Sequence, residues 1–292
     1  MPEGFDKTLT RDQLRDLMTF LLTQPLTPVA PEINGQPAPR TRAEVDLALK
    51  GVQPVATDTT GRSQPFSIVL CAGPKDHGPG EHDYPLWQKR WAKLLSLADG
   101  VAVTTAWEWP SSDQWKAAQT VVFYSNLPGW NTARATELKA FLDRGGGAVF
   151  LHYAVDGHTN VQELADVIGL AWKGGTSKFR HGPLDLKLSP GPFSSGLSSL
   201  RLVDESYWNL IGTMRQAELV ATGVEEGEAQ PLIWNLSHGE GRVFVSIPGH
   251  YSWSFDDPLF RLLLLRGICW TGHQPLDRLV ELISIGCPLP AD

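Results

Sequence analysis

The sequence predicts an α/β fold built on a mostly parallel sheet with helices on both faces. Two observations predict it. From residue 66 onward, short apolar runs alternate with segments of helical periodicity. The runs are continuously apolar rather than alternating, which is the signature of strands buried on both faces.

The elements follow in chain order. Residues 10–23, TRDQLRDLMTFLLT, read as an amphipathic helix capped by Thr10, with Leu14, Leu17, Met18, Leu21 and Leu22 at helical spacing. One short helix is not a domain by itself. Residues 24–40 hold five prolines and read as a linker. A second short helix is expected over about 41–50 with Thr41 as cap, and 51–64 is polar and loop-like. The whole stretch 24–64 is therefore expected to be a linker, separable from a main domain over 65–276, with 277–292 as a tail. In the main domain, FSIVLCAG is a strand, PLWQKRWAKLLSLADG a helix with a glycine stop, and VAVTTAW a strand. Residues 111–118 form a short helix and TVVFYS a strand. Residues 131–144 form a helix between the cap Asn131 and Gly145, and GAVFLHY is the next strand. LDLKL, LRLV, AELVATG, QPLIWNL and RVFVSIPG are strands of the second half, and 257–272 is a closing helix. The region 155–200 is loop-rich and suits a lid or a small insertion.

Bulk properties narrow the function. A net charge of -7 and a pI near 5.6, without any basic run, exclude a phosphate-backbone partner. The 11 tryptophans serve either as core or as stacking surfaces for sugar rings. Cys71, Cys269 and Cys287 are widely spaced with no C-x-x-C, so a disulfide framework, a zinc ribbon and covalent haem attachment are all excluded. No run reaches the roughly 18 apolar residues of a membrane helix, so no membrane insertion is expected. No signal peptide is visible, which places this chain in the cytoplasm, or in the periplasm if it is part of a larger exported protein.

Ligands of doubly wound sheets bind outside the carboxyl ends of the strands. Polar residues gather at those ends here. The first strand runs into His77, Glu81, His82 and Asp83; the third into Asn126 and Trp130; the fourth into His152, Tyr153 and Asp156; the last into His250, Tyr251 and Trp253. His77, His82, His152 and His250 are the candidate metal ligands, since imidazoles on bent loops can share an ion such as zinc or manganese. His82 and His152, with Glu205 of the Asp204-Glu205 pair, are the candidate acid–base groups. Each has a structural reading beside the chemical one: a capped loop for His77 and His82, a satisfied core histidine for His152 and His250, a turn with a solvated carboxylate for Asp204-Glu205. Asn126, Trp130, Tyr153, Tyr251 and Trp253 are the candidate sugar contacts. His181, placed before a strand, is a weaker candidate, and His158, His238 and His273 read as surface residues. No G-x-S-x-G, phosphate loop or dinucleotide fingerprint is present.

HGPGEHDYP, GGGAVFLHYA, DESYW and GHYSWSFDDPLFR with the closing GICWTG together resemble the ThuA-like, trehalose-utilisation family over roughly 66–276. The resemblance implies the flavodoxin-like sandwich of class I glutamine amidotransferases. There the corresponding elbow carries a nucleophilic cysteine; Leu151-His152-Tyr153-Ala154 stands here instead, which argues against glutaminase chemistry. The resemblance also implies sugar catabolism, with His77, His82, His152, Glu205 and His250 at the polar motif positions. Two functions stand open: an enzyme that hydrolyses or eliminates on a sugar or 3-keto-glycoside by histidine chemistry with a divalent metal, or a non-catalytic carbohydrate-binding module of a larger redox protein.

MPEGFDKTLTRDQLRDLMTFLL separately resembles the tail of a c-type cytochrome, with Met1 at the haem-ligand position, which implies a cytochrome-like module upstream. With no C-x-x-C-H in the chain, no haem is expected here. Protein produced with a haem-maturation system should show no Soret band; a band would refute this reading.

Overall fold

The structure is a computed structural model and describes residues 9–23, 35–50, 52 and 64–290. The Met1-Pro2 pair and most of the presumed linker, 24–34 and 53–63, lie outside the described residues. The elements are α1 (Arg11–Thr23), α2 (Arg42–Ala48), β1 (Phe66–Ala72), α3 (Tyr84–Leu95), β2 (Val101–Trp107), α4 (Ser112–Ala117), β3 (Thr120–Tyr124), α5 (Thr132–Asp143), β4 (Gly147–Leu151) and α6 (Val161–Ile168). Then come β5 (Leu170–Ala171), β6 (Lys178–Leu188), β7 (Ser199–Trp208), β8 (Ile211–Gly212), β9 (Ala217–Glu225), β10 (Glu228–His238), β11 (Gly241–Ser246) and α7 (Pro258–Thr271).

Nine strands form one sheet in the order β2-β1-β3-β4-β11-β10-β9-β6-β7. The first five are parallel, in the order of a flavodoxin-like sheet. Strands β1, β3 and β4 are buried almost throughout, as their continuous apolar sequences require. Strands β10, β9, β6 and β7 extend the sheet as an antiparallel wing. In that wing β6 and β7 pair along ten residues, from Lys178–Trp208 to Lys187–Ser199, whereas β6 meets β9 only at Lys187–Thr222 and Leu188–Ala221. The β6–β7 hairpin is thus an arm, joined to the sheet near one end. The loop-rich reading of 155–200 does not hold: α6, β5 and all of β6 lie there.

Helix starts follow the sequence. Asn131 caps α5, Asp83 caps α3, and Asp257 accepts from the Leu259 and Phe260 amides at the start of α7. Helix α7 is buried nearly all round. Its tight seat against β4 depends on Gly147, where a Cβ would stand 2.1 Å from the Thr271 carbonyl.

Both flanks belong to the domain more closely than the sequence suggests. Thr41 closes a capping box with Glu44 and starts α2, whose Val45 and Ala48 are buried in the main core. Arg40 bonds Asp257 at 2.8 Å, the same carboxylate that caps α7. The linker therefore does not run unbroken through 24–64. Likewise, the presumed tail buries Leu279, Leu282, Ile283 and Cys287, and Asp277 pairs with the buried Arg266 of α7 at 2.7 Å. Buried cations need such partners.

Replacing Val45 by Asp sets a carboxylate into this apolar seam. The melting temperature should drop by about 5–10 °C, from a penalty of a few kcal/mol in a chain of this size. A drop below about 2 °C would mean that α2 rests loosely on the domain.

Candidate functional site

Three loops at the carboxyl edge of the parallel strands meet the arm. The loop after β1 and the loop after β11 are joined by backbone bonds: the His82 amide donates to the His250 carbonyl at 2.9 Å, and the Ser252 amide to Gly80 at 2.8 Å. His152 is the first residue past β4. His82 and His152 both adopt left-handed backbone, with φ of 41° and 54°. Such conformations are costly outside glycine and cluster at functional sites. Gly249 (φ 138°) lets the β11 loop pass His152: a Cβ there would lie 3.3 Å from that of His152.

The result is a buried cluster of His82, His152, His250 and Glu205, one ligand atom of each lying within 4.8 Å of the others. His152 Nε2 lies 2.8 Å from His82 Nε2, 3.2 Å from His250 Nδ1 and 3.1 Å from Glu205 Oε2. His250 Nδ1 is 3.0 Å from the same Glu205 oxygen. Tyr207 donates to Glu205 at 3.0 Å, from the same face of β7 two residues on.

The outer nitrogens decide what the inner ones carry. His152 Nδ1 sits 2.7 Å from the Ile247 carbonyl, which can only accept, so Nδ1 holds the proton and Nε2 carries none, with the Tyr207 hydroxyl 3.0 Å from it. His82 Nδ1 sits 2.8 Å from Asp76 Oδ1, and the hydrogen bonds from His82 and His77 outweigh burial to hold the Asp76 carboxyl at about 2. His82 Nδ1 is therefore a donor too, and its Nε2 is also bare. Two lone pairs then face each other at 2.8 Å. That contact repels unless a proton or a metal cation lies between them.

Electrostatics agree with this protonation. Burial pushes His82 down to about 3 despite its bond to Asp76, with the neighbouring imidazoles adding to the fall. Burial also lowers His250, against the pull of Glu205. For Glu205, burial alone would raise the pKa, but its close contact with the His152 and His250 imidazoles wins and holds the carboxyl well below the usual range. The cluster thus sets imidazole nitrogens around a carboxylate, a donor set that could hold a metal ion. The second nitrogen of His250, Nε2, is buried without a hydrogen-bond partner among the described residues; Glu81 stands 3.8 Å away.

The other predicted residues divide clearly. His77 comes near but turns aside: its ring packs 3.8 Å from that of His82 and its Nδ1 meets Asp76 at 2.7 Å. Glu205 stands where His77 was expected to complete the fourfold set. Tyr153 lies by His82, with ring centroids 5.6 Å apart, and Tyr251 lies by His250 at 4.5 Å. Trp130 and Trp253, expected to contact sugar, are buried instead; their indoles donate to the Asn160 and Val203 carbonyls, and Tyr251 covers a face of Trp253. The backbone carbonyl of Asn126 accepts from His158, while its side-chain Oδ1 is buried without a hydrogen-bond partner among the described residues. Asp204 and Glu205 are not a solvated turn but buried residues inside β7. His181 was undervalued: it lies within β6, not before it, and its Nε2 is 3.3 Å from Glu205 Oε1. Asp76 and Tyr207 were missed. Their signals were a carboxylate six residues before His82, and a hydroxyl two residues after Glu205 on one strand face.

The profile of the ThuA family, described as trehalose utilisation, matches residues 80–271. A ThuA-like protein of Parabacteroides merdae superposes with a TM-score of 0.56 at 20% identity, over 72% of this chain and 90% of that one. A ThuA-like protein of Bacteroides uniformis gives 0.57 at 16%, over 74% and 95%. No curated protein matches this sequence. At these identities the structural likeness carries the fold alone.

The protonation pattern predicts acid lability. His82 has a folded pKa near 3 against 6.5 unfolded. As pH falls below about 6.5 the unfolded chain takes up the proton first, so stability is lost from there toward pH 3. Asp76 and Glu205, both lowered, add a loss of the same sign below their unfolded values of 3.8 and 4.5. Melting temperatures of chelator-treated protein should fall steadily from pH 7 to pH 4, and less steeply above pH 4.5 in His82→Asn. A flat wild-type profile over that range would contradict a buried neutral His82.

Proposed function

The chain belongs to the ThuA family, trehalose utilisation, and from that premise we propose that it is an enzyme cleaving a sugar or 3-keto-glycoside, by elimination or hydrolysis, at a metal-assisted His/Glu centre. The single observation that carries this reading is the buried His/Glu cluster, in which His82 Nε2 and His152 Nε2 stand opposed at 2.8 Å. His82, His152, His250 and Glu205 are the residues that would hold a divalent ion, and its charge would relieve the repulsion between the two imidazole nitrogens. When bound, the ion supplies Lewis-acid polarisation of a sugar oxygen.

The chain's own groups do the rest. Asp76 and the Ile247 carbonyl fix the tautomers of His82 and His152, as outer partners of ligating histidines do elsewhere. Tyr207 holds Glu205 Oε2 toward the imidazoles. The other oxygen, Oε1, faces the half-exposed His181 at 3.3 Å. A ketone at C3 of a sugar acidifies the neighbouring C–H, so an imidazole held beside a carboxylate, as His181 is beside Glu205, is a sufficient base to start loss of the glycosidic oxygen.

Elemental analysis of purified protein, run beside turnover of a 3-keto-glucoside, tests both parts. About one zinc or manganese per chain is expected, with turnover suppressed by a chelator and restored by the ion. Glu205→Gln keeps the shape but not the charge, and should lower turnover at least about 100-fold, the scale of a lost acid–base group. Wild-type turnover in that variant would sink the proposal.

A further inference from the structure

A circuit of aromatic rings surrounds the buried centre. Tyr153 is 5.6 Å from His82 and 6.4 Å from Trp172; Trp172 is 6.1 Å from Phe179; Phe179 is 5.7 Å from His181; His181 is 4.7 Å from His250. His250 closes the circuit with His82 at 4.6 Å. The members are unequally exposed. His82 and His250 are 1% exposed and belong to the centre, whereas Phe179 is 55% exposed on the arm and Trp172 is half-buried against Tyr207. A single exposed phenyl ring is ordinary on a protein surface. Here it extends a wall that begins at the centre itself.

The carboxylates stand at the centre, and the cations flanking the wall, Lys178 and Arg180, are paired with Glu226 and Glu225. Asp76, Glu81 and Glu205 supply carboxylates to the centre and its border. No lysine or arginine is a member of the circuit. Lys75, on the loop with Asp76, donates to the Glu81 carbonyl, and Lys178, beside Phe179, pairs with Glu226 at 2.6 Å. Anionic sugars such as sugar phosphates would meet carboxylates without a cationic clamp. Uncharged rings lose nothing there, and their C–H faces and aromatic groups gain from stacking.

We infer that Trp172 and Phe179 form a stacking subsite for the leaving group of an uncharged glycoside, with the ring to be cleaved over the His/Glu centre. The assignment of the leaving group rests on the enzymatic reading above; the subsite and its preference for neutral, flat groups rest on the circuit. Equilibrium binding, measured by calorimetry on the full chain, separates the two. Methyl and phenyl glucosides of both anomers and glucose 6-phosphate serve as probes. A phenyl glucoside should bind about three- to tenfold more tightly than its methyl counterpart, the scale of one good aromatic contact. Glucose 6-phosphate should bind no more tightly than the methyl glucosides. Phe179→Ala, at an exposed position, should keep the wild-type melting temperature and erase the phenyl preference. Equal affinities for methyl and phenyl glucosides, a preference that survives Phe179→Ala, tighter binding of the phosphate, or no binding of any glucoside would each overturn the subsite. A phenyl preference without turnover of a 3-keto-glucoside would leave the subsite standing and remove the enzymatic reading. Turnover without the preference would do the reverse.

Discussion

One buried carboxylate joins the two halves of this molecule. Asp204 accepts from the amides of Glu205 at 2.7 Å and of Gly249 and His250 at 3.0 Å, and from the Ser254 hydroxyl. It lies on β7, the last strand of the sheet, and what it holds is the loop after β11. In hydrogen-bonding order the two strands are four places apart. A flat sheet would set them about 19 Å apart at the usual strand spacing. The wing must therefore roll back over the parallel edge, and the register shifts of β10 against β9 at Pro231–Trp234 are the kind of irregularity that bends a sheet. Without this roll, Glu205 and Tyr207 would stand far from the histidines.

The centre is built by fixing what lies outside it. The Ile247 carbonyl and Asp76 dictate where two protons sit, and the inner nitrogens are left bare as a consequence. Left-handed backbone at His82 and His152 aims the rings, and the backbone bonds between the β1 and β11 loops hold that aim. Each device carries a local cost in strain or desolvation, and none improves packing. Polar groups so thoroughly buried are tolerated because each outer atom finds a partner, with His250 Nε2 the exception.

Much of this was legible in the sequence. The apolar runs FSIVLCA, TVVFY and GAVFL could only be strands buried on both faces, and parallel topology then set His82, His152 and His250 at one edge. The arm was harder to read. Lys178–Gly182 at the start of β6 is polar apart from Phe179, so a buried apolar stripe begins only at Leu184. His181 was consequently placed in a loop. DESYW looked like a turn because buried carboxylates and exposed ones have the same letters; only the distant Gly249 and His250 amides make Asp204 a core residue. Trp130 and Trp253 failed for a related reason. An aromatic residue beyond a strand can cover the core or face a ligand, and the neighbour that decides, Trp109 for one and Tyr251 for the other, is not predictable from local sequence.

The attachment of the arm has a consequence for how this architecture diversifies. Strands β6 and β7 are bound firmly to each other and joined to the sheet at only two residue pairs. The Glu205 face of the arm is pinned by the Asp204 joint, while Phe179 points to solvent and supports no core residue. Drift at that outward position is nearly free of folding cost, because it disturbs neither the parallel sheet nor the imidazole tautomers. One chemical centre can thus persist through a lineage while the arm is rewritten around it, in the manner of a tool with exchangeable jaws.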